Sequence, residues 1–207
     1  MNLTGWVIPF FWPDFGIFLY QQVFPPFVGH VDVLHLDPLA DRAHRFLGGL
    51  LFLAGALQFE PSMRQRWPQV HRRLGQSYML LGMSTVASAI WLGVELPFAA
   101  FPETAITTAA ALAYGFLLCL AWQAARQRRI AAHREWMIRA HALVSFIATM
   151  RVFTGVFFHA GAHATGQEMF LTSGVFAIAV NLTLAEWWIH TSRSLPPHPN
   201  HRAQQPL

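Results

Sequence analysis

The 207 residues predict an all-α integral membrane protein, a helical bundle of five transmembrane helices, or six if a broken N-terminal segment also crosses. Three observations carry that expectation. Hydrophobic residues make up 54% of the chain and charged residues only 12%, a balance too apolar for a soluble domain of this length. Five apolar runs follow one another with polar joints between them, each near the length that crosses about 30 Å of hydrocarbon. The arginines concentrate in alternate joints, the pattern that orients membrane helices.

Residues 1–42 comprise an aromatic segment and a polar loop. The stretch 5–28 is apolar but interrupted by Pro9, Pro13, Asp14, Gln21, Gln22, Pro25 and Pro26, so it either spans with a break or lies in the interface. It lacks a basic start, and no cleavable signal peptide is expected. Residues 43–190 form the bundle, with spans at about 43–59, 73–94, 104–125, 137–158 and 169–190. Residues 191–207 are proline-rich and poor in apolar surface, and a disordered cytoplasmic tail is expected there.

All fourteen basic residues are arginine, so the net charge of +4 does not titrate away. The joint 60–73 carries Arg64, Arg66, Arg72 and Arg73, and the joint 126–139 carries Arg126, Arg128, Arg129, Arg134 and Arg139. The joints 95–103 and 159–168 contain none. The arginine-rich side is therefore expected in the cytoplasm, which puts His71 at the inner face and His44 at the outer. No long basic tract exists, and nucleic acid is not an expected partner. A lone cysteine, Cys119, excludes an intramolecular disulfide and a cysteine-type metal centre.

An internal repeat stands out within the bundle. His44-Arg45-Phe46-Leu47-Gly48 returns 27 residues later as His71-Arg72-Arg73-Leu74-Gly75, with Gly55 and Gly82 following at matched positions. His133-Arg134 is a partial third copy. Each copy is expected to start a helix, where the positive end of the dipole favours a neutral imidazole able to ligate. At 100° per residue Gly48 and Gly55 share the His44 face, and Gly75 and Gly82 share the His71 face. A flat macrocycle or a neighbouring helix fits such a stripe equally well.

His141 and His159 mark the two ends of the fourth run. Paired with His71 or His44 across a bundle, they suggest haem b held by imidazoles, with His133 as an alternative ligand and Arg151 placed to meet a propionate or an acidic side chain. The 18 residues from His141 to His159 correspond to about 27 Å of helix, a long interval between two irons. His30, Asp32 and His35 in the polar loop, and His159 with His163 at i,i+4 spacing, form a separate candidate set for copper or zinc. Arg139 and Glu186 fall near the same ends of adjoining spans and are expected to pair.

The stretch from His44 to Trp188 resembles a family of bacterial multi-pass membrane proteins catalogued as domain of unknown function 2306. The resemblance rests on His44 with Gly48 and Gly55, on Gln58-Phe59-Glu60-Pro61 with Arg64, and on Pro68, His71-Arg72, Gly75 and Tyr78. It continues through His133-Arg134-Glu135-Trp136-Met137-Ile138-Arg139, Arg151 and the segment Asn181 to Glu186. It implies a helical protein of the bacterial inner membrane and transfers no activity. Three functions are consequently open from the residues: a haem-binding electron carrier, an accessory or scaffold subunit of a larger respiratory or photosynthetic membrane complex, and a protein handling copper or zinc at the outer face.

Overall fold

A computed structural model describes residues 38–95, 100–160 and 166–193. The N-terminal segment, the loop bearing His30, Asp32 and His35, the tail and His163 lie outside the described residues. Seven helices and no strands occur among those described: α1 (Pro38–Phe59), α2 (Pro61–Arg66), α3 (Pro68–Glu95), α4 (Ala100–Arg126), α5 (Ile130–Val144), α6 (Phe146–His159) and α7 (Gly166–Arg193).

Proline opens each of the first three helices, where its fixed φ suits the first turn and its missing N–H is not needed. The residues before two of them, Glu60 and Trp67, are held out of the helical region, with ψ at 115° and 67°. The Glu60 carboxylate accepts from the Ser62 amide at 3.1 Å and caps α2. Because α1 starts at Pro38, His44 lies in its second turn and not at its start as the repeat suggests. His71 and His133 do occupy first turns, their amides donating to the Trp67 and Arg129 carbonyls at 3.0 and 2.9 Å.

The α4–α5 corner is a three-residue turn closed by Arg129 N–H to Ala124 O at 2.9 Å and Arg128 N–H to Ala125 O at 3.0 Å. That paired bonding requires a left-handed residue, and Arg128 takes φ 57°.

Three helices are long and apolar enough to cross a membrane, Pro68–Val94, Thr104–Arg126 and Glu168–Arg193, and α5 with α6 supplies a fourth crossing if the bent pair counts as one. The apolar part of α1, Phe46–Phe59, is shorter. The continuous run expected at 137–158 is instead two helices bent by 41° at Ser145. Ser145 Oγ donates to the His141 carbonyl at 2.7 Å, sharing that acceptor with the Ser145 amide at 3.0 Å, the serine back-bonding that bends helices. Asn181 on α7 spans the break. Its amide donates to the Ala142 carbonyl at 3.0 Å, and its oxygen accepts from Thr149 at 3.0 Å.

Neighbouring helices pack α1 on α3, α3 on α4, α4 on α5, and both α5 and α6 on α7. Tyr78, Leu51, Leu118, Ala121 and Ala140 form the buried centre, with Ala110, Phe146, Met150 and Ala177 in a second cluster. Ala121, Ala140, Ala110 and Ala177 sit among these larger side chains, where small residues let membrane helices approach closely. Leu80, Trp91, Phe116 and Trp187 are more than half exposed, the outward apolar surface of a protein solvated by lipid.

Arg139 closes the arginine-rich end, donating to Glu186 through two nitrogens at 2.6 and 2.9 Å, as its sequence position suggests. Its guanidinium also stacks 4.8 Å from the Trp136 ring. Arg193 donates to both oxygens of Glu135, and Arg134 to Ser192 Oγ at 3.0 Å. Together these bonds lock the start of α5 to the end of α7.

Candidate functional site

The histidines of the repeat do not share one environment. His71 lies in the first turn of α3 beside the arginine-rich loop, and its carbonyl accepts from the Gln58 side chain at 2.7 Å, tying the end of α1 to the start of α3. Its Nδ1 is buried and makes no hydrogen bond. Arg64 and His133 both lie within electrostatic range of the ring. A buried ring nitrogen left unpaired is uncommon, since desolvating it without a partner is unfavourable by about 1–3 kcal/mol.

His133 is oriented by its backbone partner. Its Nδ1 lies 2.8 Å from the Ala121 carbonyl, and a carbonyl only accepts, so the proton sits on Nδ1. Nε2 is then the basic nitrogen of the neutral ring. Metal-ligating histidines are commonly oriented in this way, by a carbonyl behind the ring. Two imidazoles on different helices therefore come into proximity at the arginine-rich end, one with an unpartnered nitrogen and one with its tautomer fixed.

His141 has a different setting. Its ring lies 5.6 Å from Phe52 and 5.1 Å from Phe59, and its Nδ1 is 3.4 Å from the Tyr78 hydroxyl, a long hydrogen bond. A Cβ added at Gly55 would stand 2.5 Å from the imidazole Cε1. Gly55 is therefore the seat of His141, and the surrounding space is filled by aromatic side chains. A Cβ added at Gly75 would lie 3.6 Å from the Gln58 amide, whereas one at Gly48 would meet no other side chain within 4 Å. His44 bonds through Nδ1 to Ser88 Oγ at 2.8 Å, near the opposite end of the bundle. Arg151 is partly buried on α6. The side chain of His159 lies outside the described set, and no group of three or more potential metal ligands occurs among the described residues.

A family model described as a predicted membrane protein, DUF2306, matches residues 42–189, most of the chain. The chain belongs to the DUF2306 family. No curated protein and no solved structure matches it. Within this DUF2306 chain, sequence spacing pointed to His71, His133 and His141 but left Tyr114 and Ser88 unnoticed. Tyr114 is 3% exposed, its hydroxyl lies beside that of Tyr78 without meeting hydrogen-bond geometry, and it has no other partner. The available signal was a phenol in the middle of an apolar run, where a polar group needs a reason.

Proposed function

We propose that this protein is a membrane-embedded redox protein that holds haem b between His71 and His133. The observation that carries the reading is the buried, unpartnered Nδ1 of His71 within electrostatic range of an imidazole whose own Nδ1 proton is held by Ala121. Haem iron accepts two axial imidazoles, and when bound it supplies one-electron chemistry at a potential set by ligands and burial. The residues fit that group in donor type, and Arg64 adds a cation beside the ring. In this reading Ala121 orients His133, and Gln58 positions His71 by fixing the first turn of α3. The chain sits in the inner membrane with the arginine-rich joints and the C-terminal tail in the cytoplasm, following the arginine asymmetry.

Adding haemin to purified apoprotein tests the reading. A saturable Soret band at one haem per chain, abolished in His71→Ala and in His133→Ala but kept in His141→Ala, is the expected result. A colourless protein that copurifies with other membrane subunits would instead support the accessory role.

A further inference from the structure

The corner between α4 and α5 carries positive charge that nothing near it neutralises. The apolar stretch Thr104–Arg126, long enough to cross a membrane, ends at Arg126, so Arg126, Arg128 and Arg129 stand at its edge. All three are exposed, and among the described residues their side chains make no ion pair or hydrogen bond. The first turn of α5 contains no acidic residue, and Glu135 further along it is already held by Arg193. Arg128 is also the one non-glycine residue with a positive φ among the described residues. Glycine takes that conformation without the clash a Cβ brings, so an arginine there keeps its guanidinium in place against backbone strain. Apolar groups flank the charges. Trp122, 40% exposed, precedes Arg126 by one helical turn on the same face, and Ile130, 57% exposed, follows Arg129.

We propose that this corner binds an anionic phospholipid, its phosphate held by Arg126, Arg128 and Arg129 and its apolar part against Trp122 and Ile130. Charge, depth and the flanking apolar groups agree on this class. A guanidinium presents a fork of N–H donors that matches two phosphate oxygens at once. The end of a spanning helix lies at the depth of the lipid head groups, with tryptophan in the interfacial belt beside it. A soluble anion would use the charges and leave the exposed indole and isoleucine in water, whereas an amphiphile covers both. The proposal stands on the corner alone and is independent of haem binding.

The test is native mass spectrometry of the full chain in detergent, titrated separately with dioleoyl phosphatidylglycerol, dioleoyl phosphatidylcholine and glycerol 3-phosphate. The first phosphatidylglycerol should bind at least tenfold more tightly than phosphatidylcholine, which has the same acyl chains without the net charge, and at least tenfold more tightly than glycerol 3-phosphate, which has the phosphate without the chains. Arg128→Gly should weaken that first binding roughly fivefold, one basic residue's worth, while the chain stays folded, because glycine suits the backbone there. Arg66→Gln removes the same charge from the other arginine-rich joint and should change the affinity less than twofold. Equal affinity for the two lipids, glycerol 3-phosphate binding as tightly as phosphatidylglycerol, or phosphatidylglycerol binding indifferent to Arg128→Gly would overturn the proposal. So would equal effects of Arg66→Gln and Arg128→Gly, which would reduce the attraction to net charge. Should a variant fail to fold, the comparison of the three probes on the unaltered chain still decides it.

Discussion

Replacing Asn181 with alanine removes the donor on the Ala142 carbonyl and the acceptor for Thr149 in one step. Hydrogen bonds between membrane helices average about 0.6 kcal/mol and reach about 1.7. Two such bonds, plus roughly 1 kcal/mol for a backbone carbonyl left unsatisfied in an apolar interior, give a loss of about 2 kcal/mol. The chain has one way to recover part of it, which is for the Phe146 amide to take up the freed Ala142 carbonyl and straighten the break. Helices of 15 and 14 residues bent by 41° place their far ends roughly 41 Å apart, against roughly 44 Å when collinear. Spin labels at Ile130→Cys and Phe157→Cys, in a Cys119→Ser background, would read that change, and equilibrium unfolding in mixed micelles would read the free energy. A variant within about 0.5 kcal/mol of the parent, with an unchanged distance, would refute the assignment of Asn181 as the bond that supports the bend.

Gly55→Ala should destabilise the bundle by about 1–3 kcal/mol despite the better helix propensity of alanine, because the new methyl meets a ring wedged against Phe52 and Phe59; unfolding at or above the parent's stability would contradict this packing. Arg128→Gly should stabilise by up to about 1 kcal/mol, since glycine occupies the left-handed conformation without steric penalty, and the same unfolding assay checks the sign. Glu186→Gln should lose about 1 kcal/mol or less, the pair being partly exposed, and the loss should shrink as salt is added.

The membrane character and the approximate positions of α1, α3, α4 and α7 were legible because hydropathy reports solvent preference directly. The break at Ser145 was not, since a serine within an apolar run has the same local pattern whether its hydroxyl back-bonds quietly or bends the helix. Only the partner on α7 distinguishes these outcomes, and that partner lies 39 residues from the carbonyl it serves. The glycine stripe is a similar case. Spacing placed Gly55 on a face suited to a ring, but the ring proved to be His141 from another helix, an outcome that depends on packing order. A cavity of about 230 Å³ beside Tyr114 was beyond reach for the same reason, because its walls come from six helices.

Electron paramagnetic resonance of the haem-loaded protein tests the proposed ligation most directly. A low-spin ferric signal of bis-imidazole type, lost or converted to high spin in both His71→Ala and His133→Ala and retained in His141→Ala, is the predicted result. A low-spin signal that survives removal of His71 or His133, or that disappears only with His141, would contradict the account.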